Sequence, residues 1–109
     1  MSKPTALLQG TLYLLILKIL DLEPRTGWAI SKRLRQMSNE TLQVSHGSLY
    51  PALHKLEHEG WIQGEWKESN TGRPSKFYSL TRAGRRHLRL EAANWTKLSS
   101  AVNGILESV

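Results

Sequence analysis

The stretch "VSHGSLYPALHKLEHEGWI", from Val44 to Ile62, offers two chemistries on one helix. Stepping about 100° per residue, Leu49, Ala52, Leu53, Leu56 and Gly60 fall in a single stripe that must be buried. Opposite them lie Gly47, Pro51, His54 and His58, with Ser48 and Lys55 on one flank and Tyr50 on the other. Small residues at the start of such a face let backbone approach the floor of a DNA groove, where Ser and His donate or accept at base edges. Tyr50 and Lys55 are placed to reach phosphates. His54 and His58 also have the i, i+4 spacing of metal ligands. Zinc asks for three or four protein ligands and no third accompanies them, so no metal site is expected. Glu57 and Glu59, two apart on a helix, do not face each other as a catalytic carboxylate pair. With neither a phosphate-binding glycine loop nor a nucleophile motif, the chain is expected to be no enzyme and to need no cofactor.

The composition sets the frame for that face. A length of 109 residues with 39% hydrophobic content suits one small domain. The absence of cysteine removes thiolate sites and disulfides and fits a reducing cytoplasm. Fifteen Lys and Arg against nine Asp and Glu give a net charge of +6, which suits a polyanionic partner. The apolar run Leu12 to Leu20 is shorter than the roughly 20 residues of a membrane span and is interrupted by Lys18, so no membrane association is expected. No small-x-small cleavage site follows it. The acceptor patterns at Asn39 and Asn94 therefore read as chance.

The elements that must position the groove-facing residues follow from periodicity. A first helix is expected from about Thr5 to Leu22, stopped before Pro24. It is apolar nearly all round from Leu12, which asks for cover on more than one side and hints at a second subunit. A second helix, Gly27 to Met37, is capped by Thr26, carries Trp28, Ile30, Leu34 and Met37 as its apolar set, and shows Lys32, Arg33 and Arg35 elsewhere. The third helix starts between positions 45 and 48. A cap at Ser45 sets Pro51 deep inside, whereas a cap at Gly47 or Ser48 keeps it in the first turn. Gly60 is a natural left-handed stop. Trp61, Ile62, Trp66, Phe77, Tyr78 and Leu80 then form two strands around the turn "SNTGRP". Thr81 caps a last helix, about Arg82 to Glu107, in which Leu88, Trp95, Leu98, Val102, Ile105 and Val109 follow the spacing of a helix–helix seam, broken once at Glu91. Three helices, a hairpin and a long helix make a mainly α chain with a small β-hairpin, the winged helix-turn-helix plan with a dimerisation helix appended.

Charge is segregated along this plan. Arg25, Lys32, Arg33 and Arg35 occur with no acid among them. From Lys67 to Arg89 the cations Lys67, Arg73, Lys76, Arg82, Arg85, Arg86 and Arg89 face Glu68 alone. These are the parts of a winged helix that flank the groove. At the hairpin tip Gly72 permits the turn, Pro74 stiffens it, and Arg73 projects toward a narrow minor groove. Trp95, in the middle of the seam, either packs a dimer interface or, with its symmetry mate, lines a pocket for a flat aromatic ligand. A winged helix that docks only on another protein is the rival class.

The segments "GSLYPALHKLEHEGWI" and "GRPSKFYSLTRAGRRHL" resemble the PadR family of bacterial transcriptional regulators, and the resemblance extends from about Leu7 to Leu106. It implies residues 1–81 as a DNA-binding winged helix and 82–109 as a single dimerisation helix packed on the partner's first helix. It further implies a homodimeric repressor at a palindromic operator, released by a small aromatic effector in many members. Carried over by position, Ser45, His46, Gly47, Ser48, Tyr50, Pro51, His54 and Lys55 are the recognition segment. Arg73, Lys76 and Tyr78 are wing contacts, and Lys32 and Arg33 are backbone contacts. Leu12, Leu15, Ile16, Leu88, Trp95, Leu98, Val102 and Ile105 are the dimer interface. Two departures stand out. Pro74 replaces a second wing cation, and Phe77 replaces one of two tyrosines.

Overall fold

The computed structural model describes residues 5–6 and 9–108. In chain order these are β1 (Thr5–Ala6), α1 (Gln9–Leu22), β2 (Arg25–Thr26), α2 (Gly27–Met37), β3 (Leu42–Gln43), α3 (His46–His58), β4 (Ile62–Glu68), β5 (Pro74–Leu80) and α4 (Arg82–Leu106). The helix expected from Thr5 is thus described only from Gln9. Thr5 and Ala6 are extended instead and pair in parallel with Leu42 and Gln43. Backbone pairing outweighs helix propensity there. Val109, the last position of the expected seam, lies outside the described residues.

Local chemistry sets the joints. The Thr26 hydroxyl accepts from the Ala29 N–H at 3.2 Å and starts α2. At the end of α3, Trp61 N–H donates to the Leu56 carbonyl at 3.1 Å and Gly60 N–H to that of Glu57 at 3.0 Å. With Gly60 at φ 77, this is a complete Schellman stop. Thr81 binds three elements together. Its hydroxyl donates to the Gly60 carbonyl at 2.7 Å and accepts from the Gly84 N–H at 2.9 Å, while its own N–H donates to Trp61 at 3.1 Å.

The hairpin pairs Ile62 with Leu80 through to Glu68 with Pro74, and β2 adds to its other side by pairing Arg25 with Tyr78. The order β2-β5-β4 therefore ties the entry of α2 directly to the wing. The core gathers Leu12, Ile16, Leu17 and Leu20 of α1 around Ile30, Leu34, Leu49, Leu53, Leu56 and Ile62. Leu12 and Ile16, expected at the dimer interface, are core residues of this single chain, and so is Leu88 at 6% exposure. The reason is that α2, α3, α4 and β5 all pack on α1, covering most of its circumference. Two members of the expected apolar set of α2 are likewise corrected: Trp28 is 61% exposed and Met37 is exposed too. Trp28 stands two positions from Ile30, which is the far side of a helix, and Met37 is the last residue of α2.

Two glycines of α4 predict opposite outcomes. A Cβ on Gly84 drives into the Trp61 carbonyl oxygen, whereas one on Gly104 meets nothing within 4 Å. Gly84→Ala is expected to cost about 2 kcal/mol or more, and Gly104→Ala to stabilise by about 0.5–1 kcal/mol, both read from urea unfolding midpoints.

Candidate nucleic-acid interface

Burial of Leu49, Ala52, Leu53 and Leu56 turns Ser45, His46, Gly47, Ser48, Tyr50, Pro51, His54 and Lys55 to the exterior, and all eight are exposed. The Ser45 hydroxyl accepts from the Ser48 N–H at 3.2 Å, so the cap is Ser45 and helix starts at His46. Pro51 consequently sits inside α3. Having no N–H, it leaves the Gly47 carbonyl without its ordinary helical donor, on the exposed side. Tyr50 lies against the start of α2, its hydroxyl 2.9 Å from where a Cβ on Gly27 would stand. It meets His46 edge-on at 5.6 Å.

The cations divide into those free to act outward and those already engaged. Arg73, at the exposed hairpin turn, pairs with no carboxylate among the described residues. Lys32 is exposed and its ammonium stands 4.9 Å over the Trp28 ring. Arg33 is half-buried, with Nε enclosed and unpartnered among protein atoms. Lys55 is bound to Glu59 at 2.9 Å. That hydrogen bond raises the Lys55 pKa and lowers that of Glu59. Arg35 donates to Glu40 at 2.8 Å, holding the turn in which Asn39 (φ 51) and Glu40 (φ 65) are left-handed.

Two expected wing contacts are corrected. Tyr78 is 4% exposed and belongs to the core, because it alternates with Leu80 on the hairpin face that covers α3 and α1. Burial pushes its hydroxyl pKa up. Lys76 folds inward on that same face: its ammonium donates to Glu57 at 3.1 Å and lies 5.2 Å from the Tyr78 ring. The hydrogen bond to Glu57 raises its pKa. Gly64 makes the crossing possible, since a Cβ there would occupy the position of the Lys76 stem. The wing is thus strapped to α3 through Lys76 and Glu57.

A groove of about 960 Å³ opens between the start of α2, the outward side of α3 and the hairpin, and a second of about 490 Å³ lies between α2 and the start of α3. Trp28 lines both, and Trp66, 68% exposed, lines the larger. Sequence reasoning counted these tryptophans as core or strand formers. A helical wheel anchored on Ile30, and the distance of Trp66 beyond Ile62 along the strand, were the signals that separate them from the core. On α4, Trp95, Leu98, Val102 and Ile105 are exposed, Trp95 at 47% and Ile105 at 74%. Leu15 of α1 is half-buried. Among the described residues no three His, Asp, Glu or Cys side chains gather as metal ligands would, and no helix is long and apolar enough to cross a membrane.

Three helices, a strapped hairpin and a long terminal helix define a winged-helix protein of the kind that regulates transcription. The model of the transcriptional regulator PadR-like family matches residues 16–90, and the chain belongs to that family, whose members are transcriptional regulators and not enzymes. It is similar to a transcriptional regulator of Mycobacterium tuberculosis, 34% identical over 70 residues and covering 64% of each chain. Among solved structures it is similar to a PadR-like transcriptional regulator from Bacillus cereus, 31% identical with a TM-score of 0.80, covering 93% of this chain and 96% of that one. A PadR family regulator from Eggerthella lenta is 34% identical with a TM-score of 0.78, covering 93% and 86% respectively.

The strap predicts strong coupling between Gly64 and Lys76. Gly64→Ala is expected to cost about 1–3 kcal/mol by overpacking. Lys76→Ala in the same chain should return most of that loss, giving a double-mutant coupling of at least about 1 kcal/mol in denaturant unfolding. Additive losses would show that the lysine stem does not cross Gly64.

Proposed function

We propose that this chain is a cytoplasmic homodimeric repressor that binds double-stranded DNA at a palindromic operator. The observation that carries the reading is the outward face of α3. Eight exposed residues, small or polar at the helix start, lie opposite a fully buried leucine stripe and beside a basic hairpin turn. A recognition helix presents its N-terminal turns to base edges in the same way, and a wing cation such as Arg73 serves the adjacent backbone or minor groove. Residues 1–81 make up the DNA-binding part in this reading and residues 82–109 the dimerisation part. The exposed apolar residues Trp95, Leu98, Val102 and Ile105 support the second assignment, because a run of large apolar side chains on one helix side is a surface that association would cover. Two such chains would address half-sites about one helical turn apart. The two Trp95 rings brought together at that interface would give a small flat aromatic effector its seat.

Titration of a random-sequence duplex in dilute buffer should show binding that weakens steeply as salt is added. Arg73→Ala should reduce the slope of log affinity against log salt by about one. Ser48→Ala and His54→Ala should instead change sequence preference, by about 1–3 kcal/mol for each lost base contact, in selection from a random pool. A parent protein that ignores duplex DNA in dilute buffer overturns the reading. Trp95→Ala is expected to weaken self-association by about 1 kcal/mol or more at sedimentation equilibrium.

A further inference from the structure

We infer that Trp28 and Trp66 are contacts to a DNA strand: one sugar–phosphate backbone lies along the larger groove and crosses the Trp28 ridge, with the two indoles against deoxyribose and Lys32, on the smaller groove's side of that ridge, against phosphate. The inference rests on the DNA-binding reading above and adds a second type of contact to it. The groove shares Tyr50 and His54 with the outward face of α3, so whatever lies on that face passes along it. Neither tryptophan serves the core, at 61% and 68% exposure. Trp28 lines both grooves and is therefore the ridge between them. Its ring is held by the Lys32 ammonium at 4.9 Å, which sets a flat apolar surface and a positive charge side by side. Trp66 stands on the opposite wall, cross-strand from Lys76 and two residues beyond Gly64, on the hairpin face that looks toward α3.

The choice of occupant follows from that alternation. A nucleic-acid strand repeats a neutral sugar and an anionic phosphate. In the larger groove Lys76 is paired with Glu57, and Glu68 also lines the wall. The amine free for a phosphate is that of Lys32, which lines the smaller groove across the Trp28 ridge and pairs with no carboxylate among the described residues. A purely apolar ligand leaves Lys32 unused, and a free anion leaves both rings unused. Ring contacts to sugar release no counterions, so they should contribute affinity without contributing to its salt dependence.

That separation supplies the test. With the full-length protein and a random-sequence duplex, Trp28→Ala and Trp66→Ala should each weaken binding about tenfold at every salt concentration with the slope unchanged. Lys32→Ala should lower the slope by about one. Trp28→Phe and Trp66→Phe, which keep a flat ring, should recover part of the loss. Each should also remove part of the change in tryptophan emission that saturating duplex produces in the parent protein. If the parent binds duplex but both alanine variants bind as it does, or weaken only by losing slope, the tryptophans are not strand contacts and the DNA-binding reading stands without them. If the parent binds no duplex, the failure lies with that reading and takes this inference with it.

Discussion

The outward chemistry of this protein depends on the burial of one leucine stripe. Leu49, Leu53 and Leu56 are fully enclosed against α1 and the hairpin base. Each such side chain contributes about 1.5–3 kcal/mol when buried. With 3.6 residues per turn, fixing those three positions fixes all others on α3, so the exposure of Ser48 and His54 is a consequence of the core. The Schellman stop at Gly60 and the Thr81 bridge then hold the end of α3 to the hairpin and to α4, so the helix cannot rotate without breaking both joints. The stacking of Trp61 on His87, with ring centres 3.6 Å apart, adds a further contact at the same corner.

The wing is positioned by charge as much as by backbone pairing. Lys76, a cation with an obvious outward use, is spent on Glu57 across Gly64 and gives the hairpin a defined angle to α3. Arg85 likewise holds Asp21 at 3.1 Å and joins α4 to the end of α1. A net charge of +6 therefore overstates the cation density of the outward face, because Lys55, Lys76, Arg35 and Arg85 already have acidic partners. What remains outward is more focused: Arg73 at the turn, Lys32 beside an indole, and the polar start of α3.

The long terminal helix shows the opposite economy. Its first turns are committed to the core through Gly84 and Leu88, while beyond them Trp95, Leu98, Val102 and Ile105 stand clear. The apolar circumference of α1 is explained within one chain, since α2, α3, α4 and β5 surround it. The case for a second subunit therefore moves from α1 to the distal half of α4, where the apolar residues have no cover among the described residues.

Periodicity, capping residues and turn chemistry are local, and for that reason they were readable in one dimension. The stripe of α3, the Thr26 cap, the Gly60 stop, the hairpin and the long last helix all follow from residue spacing and appear in the structure at those places. The cap of α3 was readable only as a choice, because Pro51 argued for a later start and Ser45 for an earlier one. The structure places the cap at Ser45, whose hydroxyl accepts from the Ser48 N–H, at the cost of one helical hydrogen bond at Pro51. The fates of Lys76 and Tyr78 were not readable. Each depends on what a distant segment brings to within a few ångströms: Glu57 to the lysine and the α1 core to the tyrosine. Sequence spacing states which residues share a side of an element. Which side is covered, and by what, is decided only when the elements close on one another, because burial is a property of the assembled chain.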